Sequence, residues 1–393
     1  MFDVVVIGAG IVGAACARKL AMLDRSVLVI DSGATAGGTS SQGEGNLLLS
    51  DKAPGPELVL AQYARRLWPQ LAADLADELG REFPSIEFDP KGGLVVSTTD
   101  VGASPLLAFA ASQRAAGVDA QSISIAEALE REPDLNPAIG AAVFYPEDAQ
   151  VQPAIATEAL LASARLHGVE VRQGVEVTGV MVDGSGSVVG VHTGRGDIPC
   201  GAVVIAAGPW SARVARSFGL LVPIRPRRGM VLVTSRMPHR IFHKVYDADY
   251  VGAVESGDAA LQTSSVVEST AAGTVLIGSS REQIGFDDRL NVDVLRQLAS
   301  KALRLFPFLH EQPVMRAYGG FRPYMPDHLP LISADLRMPG LWHATGHEGA
   351  GIGLSIATAE MIGAAMTGTF AEIDASPFSL ERASLAPFLV EAA

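Results

Sequence analysis

Two cysteines, Cys16 and Cys200, are all the thiol in this chain of 393 residues. So few exclude a disulfide scaffold and a cysteine-ligated zinc or iron–sulfur centre, so no metal site is expected, and a reducing compartment, the cytoplasm, fits. Basic residues are scarce too: 30 Lys plus Arg against 43 Asp plus Glu give a formal charge of −13. A surface of that sign repels phosphate backbones and anionic lipid heads, so nucleic acid is not expected as a partner. Charged residues make up 19% against 48% hydrophobic, which excludes a disordered chain because so much apolar surface must be buried. The most apolar late run, residues 349–366, carries Glu360 and falls short of the roughly 20 residues of a membrane span, so it reads as a buried helix. The first sixteen residues are apolar, but Asp3 stands where a secretory leader is basic and a glycine motif opens at Gly8, so cleavage there would destroy a folding unit. There is no fixed-period repeat and no low-complexity linker, which rules out a solenoid.

What the chain does have is glycine, 41 residues of it, above the roughly 7% norm and a sign of tight turns and of backbone lying close to a ligand. The length exceeds what one core organises, so two domains are expected. FDVVVI predicts a strand, GAGIVG a turn, AACARKLAML a helix and SVLVID a second strand ending on Asp31. Gly8, Gly10 and Gly13 therefore form G-x-G-x-x-G between strand and helix, with Asp31 closing the next strand 18 residues after Gly13. In that setting Gly8 makes the tight turn, Gly10 admits a pyrophosphate and Gly13 lets the helix pack. The helix N-terminus then holds phosphate and Asp31 takes ribose hydroxyls. A second GxG, from Gly184, lies between short strands and reads as a hairpin turn. One such signature points to one nucleotide held permanently, hence to a flavin rather than an exchanging nicotinamide.

A loop dense in Gly, Ser and Thr follows Asp31, then a helix from Glu57 to Leu79, a strand at 93–97, a helix over 105–116 and an αβ segment whose helix ends at His167. Short strands from Val169 meander back to a parallel sheet through AVVIAAG. VPIRPRRGMVLVTS, KVYDADYVGAVES, ALQTSSVVES and TVLIGSS predict antiparallel strands of a second domain, closed by a helix over 292–306. The fold class is α/β with an added antiparallel sheet, and both domains are discontinuous.

Four segments occur in the order found in D-amino-acid oxidase-like (DAO) FAD-dependent oxidoreductases: GGTSS after Asp31, VVIAAGPWS from Val203, GGFRPYMPDHLPLIS from Gly319 and ATGHEGAGIGLS from Ala344. Over nearly its whole length the chain resembles that family, which includes glycine oxidase, sarcosine oxidase and D-amino-acid dehydrogenase. Within it, QGEGNLLLSDKAPGPEL and GHEGAGIGL resemble the flavin subunits of heteromeric dehydrogenases for D-hydroxyproline, opines, or glycine in cyanide synthesis. The resemblance implies a Rossmann-like FAD-binding domain of residues 1–83, 140–220 and 320–393, and a substrate domain of residues 84–139 and 221–319. It implies FAD contacts from Gly8, Gly10, Ile11, Val12 and Gly13, from Asp31 and Ser32, and along the loop from Gly38, Thr39, Ser40, Ser41, Gly43, Gly45 and Asn46. Val175 joins them, as do Ala206, Ala207, Gly208 and Trp210, with Pro209 between, then Gly320 and Arg322. The last segment contributes Gly346, His347, Glu348, Gly349, Ala350, Gly351, Ile352 and Gly353, where a helix N-terminus would stabilise charge on the reduced flavin. The covalent link of some sarcosine oxidases needs a cysteine near that segment; neither Cys16 nor Cys200 is there, so FAD should be non-covalent.

In family members the Arg322 position lies at the substrate end of the flavin and often pairs with a carboxylate, a task suited to a guanidinium fork; the other reading is a structural salt bridge. Glu348 either accepts a hydrogen bond from a secondary amine or satisfies a backbone donor, and it stands where glycine oxidase-like relatives often carry another residue. His347 completes the pair, though a histidine there is more often structural. Tyr250 and Gln262 would line the far wall, with core packing an equal account of Tyr250. Arg225, Arg227 and Arg228 read as a solvated strand edge outside the site. The expected reaction is dehydrogenation: a C–H beside nitrogen gives hydride to flavin N5 and leaves an imine. Its substrate would be D-hydroxyproline, D-proline, an opine or a related D-amino acid, with iron–sulfur and second flavin subunits as partners. The alternatives are a stand-alone glycine, sarcosine or D-amino-acid oxidase using oxygen, or a flavin-bearing assembly subunit without substrate chemistry of its own.

Overall fold

Buried β-branched runs flanked by helices build a largely parallel sheet, because strands covered on both faces need no polar alternation. The computed structural model describes residues 1–249, 256–369 and 372–390. In spatial order the sheet runs Leu331–Ala334, Leu341–Thr345, Ile198–Ile205, Phe2–Ile7, Val27–Asp31 and Glu170–Gln173. Only the first pair is antiparallel. Val4 and Val6 face the helices Ile11–Met22, Pro153–Leu166 and Gly351–Thr367, while Val5 and Ile7 face Phe218, Val222 and Ile224. The meander appears as a hairpin, Val177–Val182 with Val188–Thr193, added to the Ile198–Ile205 strand. Its turn holds the GxG of Gly184, where the Asp183 carboxylate accepts the main-chain N–H groups of Ser185 and Ser187.

The second sheet runs Val314–Tyr324, Arg225–Thr234, Val275–Arg281, Gln262–Ser269, Lys244–Asp247, Gly93–Ser97, Ala141–Tyr145 and Gln121–Ile123. Its pairs are antiparallel except Lys244–Asp247 with Gly93–Ser97. Val294, Leu298, Ala302 and Leu305 of the helix Val292–Leu305 cover one face; Val95, Val143, Tyr246 and Val266 on the other join the first core. Among the described residues no helix is long and apolar enough to cross a membrane. Both cysteines are fully buried, and that burial pushes the thiols up, to about 12 for Cys16 and about 11 for Cys200.

Several expectations change. The Arg225–Thr234 strand is no edge, since the Val314–Tyr324 and Val275–Arg281 strands flank it; Arg227 and Arg228 are 0% and 2% exposed, and of the three arginines only Arg225 is exposed. Ala141–Tyr145 and all of Val314–Tyr324 belong to the second sheet, although the expected boundaries at 140 and 320 put residues 141–145 and 320–324 with the first. The expected KVYDADYVGAVES strand covers only Lys244–Asp247, and Tyr250 lies outside the described residues. The helix placed from residue 105 starts at Asp100, because the Thr99 hydroxyl caps the Gly102 N–H at 3.2 Å.

A Cβ on Gly13 would overlap the Gly8 carbonyl oxygen, so the first helix docks on the first turn only through bare backbone. Gly13→Ala should cost about 1–3 kcal/mol of stability by overpacking. Urea denaturation checks this; an unchanged midpoint would show that the turn can give way.

Candidate active site

Strand ends from the first sheet and one face of the second enclose a cavity of about 830 Å³, near the top of the roughly 300–1,000 Å³ range of ligand pockets. At one end Gly8 turns with φ +114°, and a Cβ there would stand 2.5 Å from the Ala206 carbonyl oxygen. The chain therefore leaves the strand flat against its parallel neighbour and starts the Ile11–Met22 helix at the cavity wall. Ser40 Oγ accepts the Ile11 N–H at 2.9 Å. The following first-turn N–H groups, at the positive end of the helix dipole, favour an anion. The Asp31 carboxylate accepts Ala9 N–H at 2.8 Å and Gly33 N–H at 2.7 Å, which fixes its position on the same wall.

The loop after Asp31 bridges the two sheets. Thr39 Oγ1 donates to the Phe321 carbonyl at 2.6 Å, and Gly38 lies under the Trp210 ring, which stacks on Phe286 with centroids 5.5 Å apart. At the far end His347, Glu348, Gly349, Gly351 and Ile352 line the wall where the Gly351–Thr367 helix begins, without a side-chain cap. Arg322 stands beside it: its Nη1 donates to the Ser280 carbonyl at 2.9 Å, and its Nε lies 3.5 Å from where a Gly349 Cβ would be.

Glu348 is held from two sides. Arg227 Nη1 approaches its Oε2 at 3.5 Å and His328 Nδ1 its Oε1 at 2.9 Å. Arg227 also donates to the Ser256 carbonyl at 2.7 Å and to Gln262 Oε1 at 3.2 Å, and lies over the Tyr324 ring. Arg227, set aside as a solvated edge, is thus the buried support of Glu348, and Gln262 reaches the site through it. His347 is buried; its Nε2 donates to Thr358 Oγ1 at 2.8 Å, since that hydroxyl spends its proton on the Leu354 carbonyl. Burial pushes its pKa down to about 3, so the ring stays neutral and offers no acid to a substrate.

Most of the expected cofactor residues come together on this wall; Gly13, Ser41, Gly346, Ala350 and Gly353 do not. Gly13 serves helix packing and Gly346 packs against Met325. Ser41 is exposed and turns its hydroxyl back to the Gly38 carbonyl at 3.3 Å. Ala350 and Gly353 line a small separate crevice, where Trp68 Nε1 donates to the Gly353 carbonyl at 2.9 Å. The wall also holds residues that sequence reasoning missed: Gln42, Glu44, Thr178, Arg213 and Phe321. Gln42 and Glu44 interleave with the glycines of QGEGN, so position in that loop was the available signal.

These residues suit FAD. Asp31 would hold ribose hydroxyls, the start of the Ile11–Met22 helix the pyrophosphate, and the start of the Gly351–Thr367 helix the electron-rich edge of the ring. Asp31→Ala strands the Ala9 and Gly33 N–H groups and should weaken FAD binding about tenfold or more, as read from fluorescence of released flavin; full retention would remove Asp31 from the ribose role. The hydrogen bond to Glu348 raises the His328 pKa above its ordinary 6.5. The folded value exceeds the unfolded one, so the pair stabilises the fold fully below pH 6.5 and less as pH rises through the folded value. The gap in Tm between the wild type and His328→Gln should therefore shrink with rising pH, and a constant gap would sink the pairing.

A family profile described as "FAD dependent oxidoreductase" (DAO) matches residues 3–365. The glycine oxidase of Geobacillus kaustophilus is 29% identical over 97% of each chain, and its crystal structure superposes with a TM-score of 0.87 over 97% of this chain and 98% of that one. Hydrogen cyanide synthase subunit HcnC of Pseudomonas aeruginosa is 26% identical over 100% of this chain and 99% of its own. The L-proline dehydrogenase of P. horikoshii shares the fold, at a TM-score of 0.85 and 22% identity over 96% of each chain. With a profile match over nearly its whole length, the chain belongs to the DAO family of FAD-dependent oxidoreductases.

Proposed function

We propose that this oxidoreductase, with non-covalently held FAD, oxidises the C–N bond of a small amino or imino acid to an imine. The supporting observation is the placement of Arg322: a guanidinium on the cavity wall beside the uncapped start of the last long helix, with the Glu348 carboxylate on the same wall. Bound FAD supplies a two-electron acceptor for hydride from the carbon beside nitrogen. Arg322 fixes the substrate carboxylate through a planar fork, so the C–H is delivered in one orientation, a proximity effect worth several kcal/mol. Glu348, pinned by Arg227 and His328, holds a fixed carboxylate on the cavity wall. Neutral His347 anchors the turn that carries Glu348.

The substrate reading is a D-amino or imino acid such as D-proline or D-hydroxyproline, or an opine. Electrons would pass to a partner subunit, a reading supported by similarity to HcnC, named as a synthase subunit. A stand-alone oxidase is the second reading, favoured by the glycine oxidases that match this chain over nearly its full length. Anaerobic bleaching of the flavin across cyclic imino acids, D-amino acids, glycine and opines identifies the substrate. Admitting air or a dye to the reduced protein then separates oxidase from dehydrogenase. No bleaching by any of them would leave a flavin-bearing assembly subunit. Arg322→Ala should raise KM about 30-fold or more while FAD stays bound; unchanged kinetics on carboxylated substrates would remove Arg322 from the role.

A further inference from the structure

We infer that Glu44 is the amine-side recognition residue of this site: with Arg322 it forms a two-ended clamp that selects an α-amino or imino acid bearing its positive nitrogen. The inference rests on the reading of Arg322 as the carboxylate anchor. Glu44 lies in the QGEGN loop, is 8% exposed and lines the cavity. Its Oε2 is engaged, accepting Asn46 Nδ2–H at 3.1 Å with Lys244 Nζ at 3.8 Å, while Lys244 also donates to Asn46 Oδ1. Its Oε1 is buried and has no hydrogen-bond partner among the described residues. A buried carboxylate oxygen without a donor is costly, and an N–H from a ligand would satisfy it.

The same strand seats both ends of the clamp. Arg322 donates to the Ser280 carbonyl, and a Cβ on Gly278 would run into Glu44 Oε1. Side-chain-free floor under both groups is part of the fit, because a Cβ on Gly229 would overlap Arg322 Nη1 just as one on Gly278 would overlap Glu44. Lys244 is 1% exposed and shared with fully buried Glu268 at 3.6 Å, so it holds the Glu44 carboxylate in place rather than serving it alone.

Two isosteric ligands that lack an α-hydrogen, and so cannot be oxidised at Cα, test this with the FAD-loaded protein. 2-Aminoisobutyrate and pivalate differ only by NH₃⁺ against CH₃, and dissociation constants are read from perturbation of the flavin spectrum or by calorimetry. The wild type should bind 2-aminoisobutyrate about tenfold or more tightly than pivalate, the size of one hydrogen bond to a charged group. Glu44→Gln keeps the size and an acceptor oxygen but removes the charge, so the ratio should fall about threefold or more, with pivalate affinity kept. A wild-type ratio of one overturns the assignment, even if the variant fails to fold; so does a ratio that survives in Glu44→Gln. Arg322→Ala should weaken both ligands together, and if it does not, the carboxylate anchor falls while the ratio still tests Glu44 separately.

Discussion

Main chain pressed against main chain at the ends of two parallel strands holds the cofactor cavity in shape. Gly8 lies on the Ala206 carbonyl and Gly13 on the Gly8 carbonyl, with no side chain between them. Because contacts of this kind cannot be rebuilt by repacking rotamers, the start of the Ile11–Met22 helix is fixed relative to the sheet. From that fixed point Asp31 is set by its bond to Ala9 and Ser40 by its bond to Ile11. The loop between them then reaches the second sheet through Thr39 and Phe321.

At the opposite end the constraint is charge. Glu348 and His328 both sit in the left-handed region, at φ +47° and +59°, a conformation that costs non-glycine residues about 1–2 kcal/mol each. Their ion pair, with Arg227 behind it, holds the Glu348 carboxylate in place on the cavity wall. Three separate stretches of chain supply these charges, so the arrangement exists only in the folded state.

That origin also explains which features were legible in the sequence. Gly8, Gly10, Gly13 and Asp31 were legible because turn, helix start and strand end are local, and their spacing carries their roles. The hairpin at Gly184 was legible for the same reason. Arg227 and Arg228 were misplaced because burial depends on which strands flank theirs, a pairing with residues 275–281 and 314–324 that local periodicity does not contain. The sheet to which the Ala141–Tyr145 and Val314–Tyr324 strands belong was hidden for the same reason, since they take it from distant partners. Glu44 was passed over because an acidic residue between two glycines looks solvated until the second sheet closes over it, and Ser41 was included because its neighbours Thr39 and Ser40 do face the wall.

Both thiols are sealed within the first domain, Cys16 inside the opening helix and Cys200 at the start of a central strand, each held protonated by its burial. Thiolate is the form that attacks disulfides, peroxide and electrophiles. With both thiols buried and protonated, the chain thus presents no sulfur nucleophile of its own to solvent or to what its cavity holds.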